Sequence, residues 1–278
     1  MGFTEADEAA WQALLEWEKR FFQHKDRSGP QREEPSIQSQ FDKLNKRYEW
    51  LDALLFHLHS LIENAAFQTD ARDRLLKEAR DFDPSISEIG DLKHLPIQTL
   101  NDLAEKQMAR HRLLSLAQGG LSGTGSIVFL GIDLPMMLTT NLCAVQMMAQ
   151  TYGYSFYHPL ETLVSLKVFY IATIPRVYQY EVWKAIEKEV EDIKNDYFYE
   201  GDDTIVDTIW FENMLKQIVK AFIIMILRKK AIQGIPLFGM LFGAGVNYQF
   251  ARKVTEIANK FYQKRLLHER RKDEAGQP

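Results

Sequence analysis

Cysteine is nearly absent. Cys143 is the sole one in 278 residues, so no internal disulfide can form, as suits a reducing compartment. An excess of cationic charge is absent too: Lys and Arg number 34 against 38 Asp and Glu. The formal charge of −4 argues against a nucleic-acid protein at the level of the whole chain. The opening MGFTEADEAAWQALLEWEKRFF carries acids early and no apolar signal core, so it does not read as a secretory signal. Ala6 stands where an N-acylation signal wants Ser or Thr. These features lead to an expected cytoplasmic location. No long run alternates apolar with polar residues, which argues against half-buried strands. With 46% hydrophobic residues the chain is globular and can bury a substantial core.

Charge itself is missing from two long stretches. From Leu113 to Leu160 the only formal charge in 48 residues is Asp133, and from Ala231 to Ala251 there is none. Both stretches are rich in glycine. A soluble element normally interleaves charges with apolar residues because one face is wet. Both stretches are therefore expected to be shielded from water, in protein or in lipid.

Elsewhere the pattern is helical. Residues 4–25 read as an amphipathic helix with Thr4 as N-cap and acids in the first turn. Residues 26–36, with Gly29, Pro30 and Pro35 among charges, read as a linker, dividing the chain into 1–36 and a helical domain over 37–278. The apolar positions Phe41, Leu44, Tyr48, Leu51, Leu55, Leu58 and Ile62 form a helical seam over 37–65. A short helix near 69–80 and a turn at Asp83-Pro84 follow. Pro96 opens a helix to about Gln118, with Leu100, Leu103, Ala104, Met108, Leu114 and Ala117 inward and Gly119-Gly120 as its stop. Residues 127–150 predict an apolar helix kinked or broken at Pro135, and 159–194 predict one or two helices divided at Pro175. Residues 195–203 form an acidic turn and 204–230 a helix. A last helix runs to about Arg271, with Val246, Phe250, Val254, Ile257 and Phe261 inward. The expected fold is all-α, with two central Gly-rich apolar segments and an N-terminal helical extension.

Familiar reaction motifs are incomplete. GGLSGTGS at 119–126 has the spacing of a phosphate loop, but it lacks the lysine that reaches the terminal phosphates and follows a helix rather than a strand. Ser122 is not in a nucleophile elbow, because Thr124 replaces the required glycine. His57 and His59 lie about 200° apart on a helix and cannot share a metal. Asp91/His94 and His158/Glu161 place pairs on one helical face, yet no full di-iron set exists. No metal or cofactor is expected.

Asp133, in GIDLP, reads either as an N-cap before Pro135 or as a buried carboxylate that binds a partner charge or ligand. Gly239 and Gly243, spaced G-x-x-x-G, allow close helix approach. Asn141 and Asn247 occupy early positions in the two helices that follow the Gly-rich segments. With Asp133 they would be the polar groups of a pocket between those segments.

A membrane span needs about 20 mostly apolar residues. Both stretches are too polar, since the first holds Asp133, Pro135 and Asn141 and the second holds four glycines, Pro236 and Asn247. A hairpin lying on the bilayer remains open. Arg228, Lys229 and Lys230 precede the second stretch, and residues 251–274 carry eight Lys or Arg, including Lys264, Arg265, Arg270 and Arg271, against four acids. They suit either an anionic membrane surface, with salt-sensitive binding, or a solvated helix end.

AQGGLSGTG, GIDLP, Tyr152-Gly153-Tyr154 and GIPLFGMLFGAGVN, followed by a helix ending in Tyr262 and Arg265, together resemble the EcsC protein family over about residues 90–270. Residues 1–36 have no counterpart in that resemblance. It implies a bacterial, mainly helical protein, and a family named from a locus that also encodes an ABC transporter; it implies no catalytic mechanism. The expected function is a non-enzymatic accessory protein at the inner face of the cell membrane, whose partner is the lipid surface or a membrane protein and not nucleic acid. The alternative is an enzyme or a protein that binds a small ligand or lipid.

Overall fold

The computed structural model describes residues 2–23, 66–121, 127–155, 159–195, 216–218 and 244–275. The expected linker at 26–36, the seam over 37–65, the acidic turn after Asn195 and most of the 204–230 helix lie outside these residues. So do Arg228, Lys229, Lys230, Gly239 and Gly243.

Among the described residues the chain is all-α. The elements are α1 (Glu5–Phe22), α2 (Ala66–Arg80), a 3-10 helix (Ile89–His94), α3 (Ile97–Leu121), α4 (Ile127–Thr151), α5 (Pro159–Thr173), α6 (Arg176–Asn195) and α7 (Ala244–Ala275). Local chemistry accounts for three boundaries. Thr4 caps α1: its side chain accepts from the Asp7 amide while the Asp7 carboxylate accepts from the Thr4 amide. Proline has no amide hydrogen for a helical ladder, and Pro175 separates α5 from α6. The 3-10 helix was not foreseen. Asp91 holds it, accepting from the Ser87 and Glu88 amides and from the Ser87 hydroxyl, so its carboxylate is a cap rather than half of an Asp–His pair.

Two helix-end expectations fail. The helix α3 continues through Gly119 and Gly120 to Leu121, so the glycines do not stop it. The helix α4 runs unbroken from Ile127 past Pro135, which places Asp133 inside the helix and not at its start. The N-cap reading of Asp133 is thereby corrected. The side chains of residues 131–135 lie outside the description.

The long helix α7 is the organising element. It packs on α3, α4, α5 and α1 through Phe250, Val254, Ile257 and Phe261, the seam read from the sequence. Charge-poor α4 lies against α3, α5 and α7, which is why it needs no wet stripe. The helix α1 is docked rather than extended into solvent: Leu14 is fully buried and Trp17 stacks with Phe21 beside Trp183.

The turn after α4 requires its glycine. Gly153 has φ +84°, and a Cβ there would lie 2.4 Å from Cγ of Lys93 and 3.0 Å from its backbone nitrogen.

Candidate functional site

Two polar regions stand out, and they differ in kind. The first lies beneath α7. Arg265 binds Glu161 with both terminal nitrogens, at 2.8 and 2.7 Å. Arg270 donates to Asp7 at 2.7 Å and to the carbonyls of Lys93 and Leu95 at 2.8 and 2.6 Å. Lys264 bridges Glu18 and Glu187 at 2.6 and 2.5 Å. The Tyr154 ring has the Lys93 ammonium and the Arg265 guanidinium each 4.0 Å from its centre. Burial alone would lower the Arg265 pKa, but the Glu161 carboxylate more than offsets this and holds it above the ordinary value. Burial pushes the hydroxyls of Tyr152, Tyr154 and Tyr262 above their usual range, so all three stay protonated. Tyr152 donates to Asn259 at 2.6 Å, and Tyr262 pairs with Ser165 at 3.1 Å.

Three of the C-terminal basic residues that suited a membrane surface in the sequence are engaged inside the protein. Lys264, Arg265 and Arg270 point inward, each neutralised by a carboxylate, because a buried cation is tolerated only when paired. Among the four, Arg271 alone is half exposed, 3.9 Å from Glu8.

The second region is the hairpin of α3 and α4. His111 lies 3.2 Å from Asn141 and Tyr152 lies 3.1 Å from Asn101, so the arms run antiparallel in one register. Asn141 donates to the Met137 carbonyl at 2.8 Å and presents its Oδ1 to His111 Nε2. That oxygen can only accept, so Nε2 carries the hydrogen and Nδ1 the lone pair. Burial holds the His111 pKa down to about 4, which keeps the ring neutral at pH 7.

Beside this pair a half-open cleft of about 110 Å³ lies between α2, α3 and α4. Gln107, His111, Leu114, Cys143, Met147 and Gln150 line it, with Arg74 and Arg110 also on its wall. The Gln107 Nε2 and Gln150 Oε1 atoms are buried and make no hydrogen bond. Arg110 is bound to Glu78 at 2.6 Å.

Two to five residues from His111 on α3, and five from Asn141 on α4, apolar side chains face solvent. Leu113 is 67% exposed, and Leu116 on one arm and Met136 on the other are exposed as well. Leu114 and Ala117, read as inward, are also exposed, while Ser115 is buried. The charge-free stretch is thus not wholly covered by protein.

The sequence-derived trio separates into different situations. Asn141 serves His111. Asn247 is buried in α7 with an Oδ1 that makes no hydrogen bond, and the Asp133 side chain lies outside the description. Sequence reasoning missed Gln107, His111 and Gln150. The available signal was the spacing of Gln107, Arg110, His111 and Leu114, a stripe along one helical face carrying neutral polar groups. Among the described residues, no cluster of His, Cys, Asp or Glu could hold a metal ion, and no helix is long and apolar enough to cross a membrane.

Comparison with known proteins places the chain. No solved structure matches it. An uncharacterised protein of Bacillus subtilis (strain 168), YdbA, is 25% identical over 183 residues, covering 66% of this chain and 64% of YdbA. The chain thus spans less than two thirds of that relative. The model of the EcsC protein family matches residues 8–267, beginning inside α1, a helix left outside the sequence resemblance. With nearly its whole length matched, and with Tyr152, Tyr154, Tyr262 and Arg265 joined beneath α7, this chain belongs to the EcsC protein family.

Proposed function

We propose that this protein is a peripheral membrane protein that rests on the inner face of the cell membrane through the arms of the α3–α4 hairpin, as a non-enzymatic accessory to a membrane-embedded partner. One observation carries the reading: Leu113, Leu114 and Leu116 are exposed in a stretch whose sequence has no charge from residue 113 to 132, and Met136, three residues after Asp133, is exposed on the other arm. Grouped exposed apolar residues mark an interaction surface. The transporter-encoding locus that the sequence resemblance implies for the family's name fits the same location.

Transfer of these partly exposed side chains into lipid supplies on the order of 3–6 kcal/mol before the costs of binding, enough for reversible attachment only. Attachment is mainly apolar, since Lys264, Arg265 and Arg270 are engaged internally. The test is flotation with neutral and anionic vesicles at low and high salt. Binding to both vesicle types that survives high salt is expected, and Leu113→Glu with Leu116→Glu removes it. The reading fails if the double variant, still folded by circular dichroism, floats like the parent.

A further inference from the structure

We infer that the cleft between α2, α3 and α4 is a binding site for a small neutral ligand carrying a carboxamide on a short alkyl body. The inference does not depend on the membrane reading.

The site is built from both arms of the hairpin. Gln150 is 1% exposed and Gln107 is similarly buried, yet Gln107 Nε2 donates to nothing and Gln150 Oε1 accepts from nothing within the chain. Leaving one such atom buried and unsatisfied costs about 1–3 kcal/mol. Here a donor and an acceptor are left on the wall of the same cleft. A third group, His111, is fixed by Asn141 with its lone pair on Nδ1 and is neutral at pH 7. The remaining wall is mostly apolar, with Leu114, Met147 and Ala144, and also carries Arg74 and Arg110, the latter bound to Glu78.

These groups select by chemistry. A carboxamide oxygen accepts from Gln107, and its NH2 donates to Gln150. A carboxylate offers acceptors only and leaves Gln150 unsatisfied. An ammonium offers donors only, leaves Gln107 unsatisfied and finds no carboxylate on the wall to balance it. Size sets the second limit. A dry cavity of about 150 Å³ holds benzene, so about 110 Å³ takes a body of roughly that size or smaller. Water alone could occupy the space, and the experiment separates that case.

Three probes of equal chain length, n-butyramide, butyrate and n-butylammonium, are titrated into the isotopically labelled full chain and followed by amide NMR. Saturable shifts of the Gln107 and Gln150 side-chain amides are expected with butyramide in the millimolar range, with at least tenfold weaker response to the two ions. Gln107→Leu and Gln150→Leu should each weaken butyramide at least tenfold while the thermal midpoint stays level or rises, because each removes an unsatisfied buried group. The inference is overturned if no probe saturates, which leaves water as the occupant, or if the three bind alike. It is equally overturned if the leucine variants lose stability yet keep butyramide binding, since the glutamines would then be structural.

Discussion

The polar region beneath α7 and the half-open cleft of the α3–α4 hairpin are both rich in hydrogen-bonding side chains, yet they are assembled by opposite rules. Beneath α7, three cations that would be costly to bury each meet a carboxylate, and two of them reach back to α1, at Asp7 and Glu18. In the cleft Gln107, Gln150 and His111 are neutral, the Arg110 charge on the wall is bound to Glu78, and two amide atoms meet nothing. A paired charge network resists change because removing one member strands the other. A neutral cleft with unsatisfied atoms tolerates change and gains from an occupant. The first arrangement holds the bundle together, and the second is where a ligand is rewarded.

The sharpest way to break this contrast is to strand a charge. Arg265→Ala leaves Glu161 buried without its bidentate partner and should cost about 3–5 kcal/mol, read as a lower denaturant midpoint. Replacing both members by apolar residues should recover part of that loss. If Arg265→Ala costs less than about 1 kcal/mol, the region is wetter than its burial implies and the contrast dissolves.

A smaller effect comes from pH and belongs to the cleft. His111 has a folded pKa of about 4 against 6.5 in the unfolded chain. Above pH 6.5 both states are neutral and His111 adds no pH dependence. Between 6.5 and 4 the unfolded chain binds a proton that the folded chain refuses, so stability falls as pH falls. At 1.36 kcal/mol per pH unit the full shift would be worth ~3 kcal/mol, and partial exposure of the ring reduces it to roughly half. His111→Gln should flatten this part of the acid limb, seen as a smaller drop in midpoint between pH 7 and pH 4.5 than the parent shows. His268, whose pKa is also lowered by burial, contributes with the same sign to parent and variant alike and cancels in that difference.

How far the sequence could reveal these regions follows from what each depends on. Local chemistry was readable: the Thr4 cap, the break at Pro175 and the α7 seam each rest on residues within a turn or two of one another. The charge network was not, because Arg270 and Asp7 are 263 residues apart. A basic helix end looks the same on paper whether its partners are lipid phosphates or buried carboxylates. Leu114 was read inward from periodicity, but beside an open cleft the same periodicity leaves it partly wet. The cleft stayed hidden because glutamine and neutral histidine carry no motif; only their meeting across two helices gives them meaning.

The smallest expected effect is the most discriminating for α7 itself. Arg270 and Arg271 are neighbours in sequence, and helical geometry turns one inward and the other outward. Arg270 is held by Asp7 and two carbonyls, whereas Arg271 is half exposed and stands 3.9 Å from Glu8. Arg270→Ala should therefore cost about 3–5 kcal/mol and Arg271→Ala less than about 0.5 kcal/mol. Arg271→Ala should also leave vesicle flotation unchanged, because one exposed charge near a membrane is worth about 1 kcal/mol at most. A large loss of binding to anionic vesicles in that variant, with neutral vesicles unaffected, would move the lipid contact from the uncharged hairpin to the outer face of α7.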